Sequence, residues 1–405
     1  MKKAYAGYQS YSYLEPGVDY RAFETTDTSE RVEPFRVPLD AAGEQRVEDL
    51  AGRCVVISLH EHVGIFPDRV EETPEYVREG RMATAFRALA ESRLDAVFDN
   101  LLDGLCHIES KHGWKWNDVI HDLGMRLCDL AHQDFLVPAG RVDDILRAKE
   151  EGRVAWVPSQ EGAAMIENEL DRIDILYGFG LRCLGIAYSE ANALGSGLKE
   201  PMDGGLTVFG RKAVERMNKV GILIDCSHAG DRTTLDTVEV SEAPVCLTHI
   251  GARALWDTNR LAPDDVLEAI AGSGGVIGIE AAPHTTITEE HPRQSIESFM
   301  DHFEYIRELV GIDHVAFGPD ALYGDHVGLH RAYTASLSLQ SAERRAKAQG
   351  AQDGYPRVQY VEGLENPTEA SENIVRWLVA RDYSDEDIEK VIGGNVLRVL
   401  REVWT

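Results

Sequence analysis

The sequence lacks the features that mark membrane, secreted and nucleic-acid-binding proteins. No run approaches the roughly 18 consecutive apolar residues that suggest a membrane span. Residues 1–17, MKKAYAGYQSYSYLEPG, carry two lysines without an apolar segment behind them, so we expect no secretory signal. The 69 acidic side chains outnumber the 41 lysines and arginines, which gives a formal net charge of −28. Because phosphate binding needs clustered basic residues, we expect neither a nucleic acid nor a membrane as a partner.

Cysteine pairs and nucleotide-binding motifs are also missing. The six cysteines include no C-x-x-C pair, and four of them lie inside apolar runs: Cys54, Cys183, Cys226 and Cys246. Buried thiols of this kind are typical of a reducing compartment, so we expect a cytoplasmic protein. No G-x-S-x-G, phosphate-binding loop or dinucleotide fingerprint occurs, which disfavours serine hydrolases, kinases and dehydrogenases.

Short apolar runs and amphipathic stretches alternate from about residue 54 to the end. The eight runs are CVVISLH, LDAVFDNLL, VAWVPSQE, LRCLGIAY, GILIDCSH, PVCLTHI, GGVIGIEA and HVAFGPD. Each is nearly continuous in apolar residues, as in strands that are buried on both faces. Strand and helix in eightfold alternation predict an α/β fold of the (β/α)8, TIM-like barrel type. A doubly wound sheet is the alternative, disfavoured because no glycine-rich phosphate loop follows the first strand.

Three of the amphipathic stretches carry clear helix signals. In residues 207–221, Val208, Phe209, Val214 and Met217 share roughly one helical face, and Gly221 ends the pattern. The other two stretches are residues 263–275, which begin with Pro and two acids and end in glycines, and residues 295–311.

Two segments fall outside the alternation. Residues 1–45 are polar and rich in tyrosine, and we expect an N-terminal arm that packs on the outside of the barrel or on a second subunit of a homodimer. Residues 46–405 then form the barrel, with a loop insertion at about 323–365 after the eighth strand. Loops after barrel strands lie at the functional face, so this insertion is either a lid or substrate wall, or a surface helix without such a role. Its His326 and His330 are candidates for substrate contact.

Polar side chains stand at the ends of the predicted strands, where barrels carry their functional residues. In strand order these are His60 and His62, Asp99 and Asn100, Glu161, Tyr188, His228, His249, Glu280 and Asp320. Each has a structural explanation when taken singly: a hydrogen-bonded strand-end histidine, an acid at a helix start or a turn aspartate. Together, four imidazoles and two carboxylates at one end of five strands predict a site for zinc or a similar metal ion.

Longer segments resemble one family, the membrane (renal) dipeptidases, which are zinc peptidases of the amidohydrolase superfamily. The resemblance runs from about residue 50 to the C-terminus. It is densest in LYGFGLRCLGIAYSEANALGSG, in the stretch that holds DCSH and LTHI, in NRLAPDD and in VEGLENPTEASENIVRWL. The resemblance implies a distorted (β/α)8 barrel that holds two zinc ions per chain.

The resemblance also implies a role for each strand-end residue. The implied metal ligands are His60 and His62 for one ion, Glu161 as the bridge, His228 and His249 for the second ion, and Asp320 beside them. Asp320 would also handle the proton of the attacking water, and Arg260 in NRLAPDD would grip a carboxylate of the substrate. Asp225 is either a supporting partner of these ligands or a buried acid satisfied by the backbone.

Three departures from the family pattern bear on the substrate. The family has His-x-Asp where this chain has His60 and His62, and a substrate-contacting histidine where this chain has Tyr188. A histidine often found after the bridging glutamate is also missing after Glu161. A phenol can still donate a hydrogen bond to a developing oxyanion, so Tyr188 is expected to serve as both a catalytic and a substrate-binding residue.

The expected function is a zinc-dependent hydrolase that cleaves the amide bond of a dipeptide or an N-acyl amino acid. The reaction would use a hydroxide shared by the two ions, and the substrate would be a small molecule with a carboxylate. One alternative is an amidohydrolase that acts on a non-peptide amide, lactam or ester. Another is an inactive barrel with a binding role, which the metal-competent residues at the strand ends disfavour.

Overall fold

The computed structural model describes residues 3–26, 31–101, 115–330 and 357–404. In chain order its strands are β1 (Ile57–His62), β2 (Gly64–Ile65), β3 (Ala83–Thr84), β4 (Ala96–Asn100), β5 (Leu136–Pro138), β6 (Val154–Gln160), β7 (Cys183–Gly185), β8 (Leu223–Asp225), β9 (Val245–Ile250), β10 (Ile277–Ile279), β11 (Val315–Phe317) and β12 (Ala321–Leu322). Each of the eight predicted apolar runs overlaps one of these strands. Strands β2 and β3 form a small antiparallel pair outside the main sheet.

The main sheet is parallel and curls into a barrel. Its strand order is β11-β10-β9-β8-β7-β6-β4-β1-β12, with β5 added beside β6. Strand β11 pairs with β10, whereas β12 pairs with β1, and only residues 318–320 separate them along the chain. The two ends of the sheet are therefore joined by one interrupted eighth strand. This arrangement confirms the predicted barrel class over the doubly wound alternative.

Helices follow the strands and cover the outside of the sheet. The α-helices whose bounds are described are α1 (Ala41–Arg53), α2 (Thr73–Glu79), α3 (Phe86–Glu91), α4 (Trp116–Leu130), α5 (Val142–Glu150), α6 (Asp171–Gly178), α7 (Val208–Val220), α8 (Asp231–Val240), α9 (Asp264–Gly272), α10 (Ile296–Val310), and the C-terminal helices Pro367–Ala380, Asp385–Glu389 and Asn395–Val403. None of the described helices combines the length and the apolar character needed to cross a bilayer.

Helix α7 shows how closely sequence signals set a boundary. The Thr207 hydroxyl accepts a hydrogen bond from the Gly210 N–H at its start, and Gly221 adopts a φ of 82° at its end. Val214 and Met217 are buried as expected. Val208 is the exception: it is 77% exposed, because it stands at the first helical position and points away from the sheet. Its assignment to the apolar face was wrong.

The barrel has an inner and an outer apolar layer. The inner layer contains buried side chains from successive strands, among them Phe98, Ala155 and Cys183. The C-terminal helix Asn395–Val403 joins this layer, and the ring of Trp404 stacks on Phe98 with centroids 6.2 Å apart. The inner core therefore fills one end of the barrel and leaves polar residues at the other.

The N-terminal segment lies along the outside of the same chain. Asp129 accepts hydrogen bonds from the Tyr8 hydroxyl at 2.8 Å, the Ser10 hydroxyl at 2.6 Å and the Tyr11 N–H at 2.9 Å. Helix α1 begins at Ala41, inside the predicted arm of residues 1–45. Contact of this arm with a second subunit stays a prediction.

The predicted loop insertion of residues 323–365 is only partly described. Residues 331–356 lie outside the described residues, so a lid or substrate wall there stays a prediction. His326 is buried, and its Nδ1 accepts a hydrogen bond of 3.1 Å from the Leu322 N–H. Its ring meets that of His330 edge-on, with centroids 4.8 Å apart. Their contact with a substrate also stays a prediction.

Candidate metal centre

The six strand-end residues predicted as metal ligands converge on one place in the barrel mouth. Three groups of metal-competent side chains occur among the described residues: His60, His62 and Glu161; His60, His249 and Asp320; and Glu161, His228 and His249. Within each group the ligand atoms lie within 4.8 Å of one another, and every member is buried. Parallel strands bring these residues together because their carboxyl ends share one rim of the barrel.

The first half of the site combines two imidazoles with two carboxylates. His62 Nε2 lies 3.0 Å from Asp320 Oδ1, and His60 Nε2 lies 3.4 Å from the same oxygen. Both Nε2 atoms lie 3.5 Å from Glu161 Oε1. Two residues apart on strand β1, the histidines thus point to a common position, as their spacing predicted.

The second half uses the other oxygen of the same glutamate. Glu161 Oε2 lies 3.0 Å from His228 Nε2 and 4.0 Å from His249 Nε2. These two Nε2 atoms lie 2.9 Å apart. Each carboxylate oxygen of Glu161 therefore faces its own pair of imidazoles, so this side chain could hold one ion through each oxygen.

One hydroxyl orients a histidine in each half of the site. The Thr248 Oγ1 lies 2.8 Å from Asp225 Oδ2, 2.9 Å from His249 Nδ1 and 3.2 Å from His60 Nδ1. Its single hydrogen goes to the carboxylate, so the oxygen accepts a hydrogen bond from His249 Nδ1. With its hydrogen on Nδ1, the His249 imidazole presents the lone pair of Nε2 to the site.

Asp225 both supports the metal-ligand candidates and is satisfied by the backbone, the two roles that the sequence left open. It accepts backbone N–H bonds from Ser227 and Thr248, at 3.1 and 2.9 Å, and it holds the Thr248 hydroxyl in place. It therefore supports the two histidines indirectly while its charge is satisfied by the chain around it.

The other two histidines have their own partners. The carbonyl oxygen of Asn100 can only accept, so His62 Nδ1 donates to it at 3.1 Å and leaves Nε2 as the nitrogen that faces the site. The side-chain amide of Asn100 lies 2.8 Å from His60 Nδ1. His228 Nδ1 lies 3.2 Å from the Ser189 hydroxyl.

The distances between these donor atoms indicate whether a metal ion fits the site. A neutral His62 with its hydrogen on Nδ1 would leave Nε2 and Asp320 Oδ1 as two acceptors 3.0 Å apart, a contact that either a proton on Nε2 or a metal ion would stabilise. The Nε2 atoms of His228 and His249 lie 2.9 Å apart, so both could bind the same ion. Ligands bound to one zinc ion at about 2.0–2.2 Å lie about 3.3 Å apart in a tetrahedral site, so the donor set fits such ions.

The electrostatics of the site favour positive charge beside its carboxylates. Burial lowers the pKa of the His60 imidazole, but hydrogen bonds to Asp320 and Glu161 outweigh it and raise this pKa to about 9. Burial opposes ionisation of Glu161, yet hydrogen bonds from His228 and His60 hold its pKa well below its usual range. Burial and the charge of Arg260 lower the pKa of His228 to about 4, so this imidazole stays neutral, the form that binds metals.

Close backbone packing fixes the two carboxylates. A Cβ on Gly185 of strand β7 would lie 1.8 Å from the carbonyl oxygen of Glu161, so only glycine lets the two strand ends meet here. Asp320 stands in the break of the eighth strand with a φ of 58°, and its N–H donates to the His60 carbonyl at 3.1 Å. The left-handed backbone at Asp320 turns the chain at the point where it enters the site.

The two predicted substrate-contacting residues lie beside this cluster. The ring of Tyr188 packs on His228, with centroids 4.4 Å apart. Arg260 is buried, and its Nη2 lies 3.4 Å from the carbonyl oxygen of His249. Its guanidinium also forms an ion pair with Glu280. Burial raises the pKa of Glu280 to about 7, although the charge of Arg260 opposes this shift.

Comparison with known families identifies the family of this chain. The family model described as "Membrane dipeptidase (Peptidase family M19)" matches residues 46–332 and 350–405. The chain belongs to the membrane dipeptidase family. The predicted resemblance is thereby confirmed, and the protein is a metal-dependent hydrolase of the dipeptidase family. The roles of its individual site residues stay predictions.

This member of the membrane dipeptidase family is similar to several known proteins and solved structures. Dipeptidase tcpJ of Claviceps purpurea is 28% identical over 331 residues, which cover 78% of this chain and 68% of that protein. A crystal structure of an amidohydrolase from Pseudomonas aeruginosa shares the fold with a TM-score of 0.70 at 22% identity, covering 88% of this chain and 99% of that one. A metallopeptidase from Rhodobacter sphaeroides, liganded with a phosphinate mimic of the dipeptide L-Ala-D-Ala, has a TM-score of 0.64 at 19% identity, covering 87% of this chain and 99% of that one.

Sequence reasoning missed the residues that orient the ligands. Thr248 and Ser189 each stand next to a predicted site residue in the chain, so a hydroxyl beside a strand-end ligand is the signal that would have found them. Asn100 was singled out as a strand-end polar residue, but its contacts with both first-strand histidines were not foreseen.

Proposed function

We propose that this protein is a two-zinc hydrolase that cleaves the amide bond of a dipeptide or an N-acyl amino acid. The observation that carries the proposal is Glu161, whose two oxygens each face a separate pair of imidazoles. Membership of the dipeptidase family supports the peptide substrate, and the mixed imidazole and carboxylate donors favour zinc. When bound, two such ions lower the pKa of water and polarise a carbonyl oxygen.

The residues of this chain divide the remaining work. His60 and His62 would hold one ion, His228 and His249 the other, and Glu161 would bridge them.

Asp320 takes the proton of the attacking water and returns it to the departing amine. Its Oδ1 faces both first-strand imidazoles, so Oδ2 is the atom available for the proton.

Tyr188 and Arg260 form the substrate side of the site. Tyr188 packs on His228, where its phenol can donate to the oxygen of the scissile carbonyl as negative charge develops there. Arg260 lies behind the second pair of histidines and contacts the carboxylate of the substrate.

A second candidate is an amidohydrolase for non-peptide amides, lactams or esters. It is favoured by the histidine at position 62 and the tyrosine at position 188, which replace an aspartate and a histidine of the family pattern. In either case we propose a cytoplasmic enzyme, and a homodimer in which the arm of residues 1–45 contributes to the contact.

A substrate panel with metal exchange tests the proposal. Zinc-loaded protein is assayed with L,L-dipeptides, L,D-dipeptides, N-acyl amino acids, a lactam and an ester. We expect the best kcat/KM on a dipeptide or an N-acyl amino acid, loss of turnover after chelation, and recovery with Zn²⁺ but not with Mg²⁺, which prefers oxygen ligands. Turnover of the lactam or ester alone would favour the second candidate, and no turnover of any compound would refute both.

A further inference from the structure

The arginine that the sequence assigns to substrate binding is already paired with an acid. The guanidinium of Arg260 forms an ion pair with the carboxylate of Glu280, and the side chains are 5% and 0% exposed. Neither charge therefore reaches bulk solvent, and each is compensated mainly by the other. A buried pair of this kind has no net charge to offer a third group.

The pair stands in the wall of the metal centre. Arg260 lies 3.4 Å from the carbonyl oxygens of His249 and Ser227, which flank the second half of the site. Glu280 directly follows strand β10, and its N–H donates to the Ile250 carbonyl at 3.0 Å. Glu280 is close enough to Asp320 for the charge of that acid to raise its pKa. A substrate group that contacts the guanidinium of Arg260 therefore also lies close to the carboxylate of Glu280.

The backbone of Glu280 is held in place by hydrogen bonds on both sides of its Cα. The Thr286 hydroxyl donates to its carbonyl at 3.0 Å, and the next residue, Ala281, donates its N–H to Pro319 at 2.9 Å. The Gln294 amide donates to the Ala281 carbonyl at 2.9 Å. A carboxylate of the substrate would have to share Arg260 with this fixed anion, and two like charges at one guanidinium repel each other.

We infer that Glu280 sets the specificity of the site by cancelling the charge of Arg260, so that a free carboxylate on the substrate gains little over a neutral carboxamide or ester. The inference rests on the proposed function and deepens it: the enzyme accepts carboxylate-bearing substrates and their neutral, C-terminally blocked analogues alike. Arg260 acts there as a set of N–H donors to a carbonyl oxygen, which a neutral group supplies as well as an anion does.

The test compares two compounds that differ only at that group, an L,L-dipeptide and its C-terminal carboxamide. At pH 8.5, where Glu280 is ionised, kcat/KM values of the zinc-loaded wild type are expected to differ by no more than about threefold. In Glu280→Gln, the uncompensated Arg260 is expected to favour the free dipeptide at least about tenfold, through a lower KM.

Glu44→Gln serves as the matched control, because Glu44 pairs with Arg376 far from the metal centre. It should leave the wild-type ratio unchanged. A wild type that prefers the free dipeptide tenfold or more overturns the inference without any variant, and so does a Glu280→Gln protein of native melting temperature and metal content with the wild-type ratio. If neither compound is hydrolysed, the proposed function fails, while calorimetric Kd values for the same two compounds still decide the role of Glu280.

Discussion

His228→Ala and His249→Ala are each expected to reduce the zinc content from two ions per chain toward one and to lower kcat at least about 10³-fold. Both imidazoles face Glu161 Oε2, and alanine leaves the second ion with a carboxylate and a single nitrogen. Four donors are the usual requirement of a bound zinc ion, so the remaining pair cannot hold it. Metal analysis of the purified variants by mass spectrometry, alongside initial rates, measures both effects.

The matched control is His132→Ala, an exposed histidine that stacks on Tyr13 on the outer surface. It should keep two zinc ions and the wild-type kcat. If the double variant of His228 and His249 retained the wild-type turnover, the second ion would have no part in the reaction.

Asp320→Asn is expected to lower kcat by about 10²–10⁴, the usual contribution of a general acid and base, with a small change in KM. Asparagine keeps the size of the side chain but cannot take up a proton at the position of Oδ2. His60, His62 and Glu161 remain to hold the first ion, so the zinc content should stay near two. Steady-state kinetics with metal analysis separates this loss from a loss of metal.

Asp313→Asn is the control for that variant, because Asp313 is an exposed partner of Lys390 outside the barrel mouth. Its kcat should equal that of the wild type. An Asp320→Asn protein with two zinc ions and an undiminished kcat would remove Asp320 from the proton transfer.

The sequence was sufficient to predict which polar residues would cluster at the barrel mouth because strand ends leave a local signal. VAWVPSQE is apolar up to a polar end, and strand β6 indeed ends at Gln160, directly before Glu161. Parallel strands of a barrel then bring such ends to one rim whatever the connecting helices do. The convergence of these residues was predictable from the fold, whereas their division into two pairs around Glu161 was implied only by the family resemblance.

Long-range charge pairs leave no such signal. Arg260 and Glu280 lie 20 positions apart, in a loop and after strand β10, and nothing in the local pattern links them. Charges pair according to where long side chains reach in three dimensions, which period and composition do not encode. The break in the eighth strand was missed for a related reason, since residues 318–320 read as a strand end and not as an interruption before β12.

The histidine at position 62 changes the charge that the site holds. With a neutral imidazole there, Glu161 and Asp320 are the acidic side chains of the described ligand groups. An aspartate at that position would add a third negative charge and would bind an ion held by His60 more strongly. A less anionic ligand set would leave more positive charge on bound ions, which would favour ionisation of bound water at lower pH.

The most direct measurement is anomalous diffraction from crystals of the wild-type protein grown with zinc. We expect two zinc peaks per chain, one beside His60 and His62 and one beside His228 and His249, with an oxygen of Glu161 on each. An empty site in the presence of ample zinc, or a single ion without contact to Glu161, would contradict the two-ion centre on which the proposed function depends.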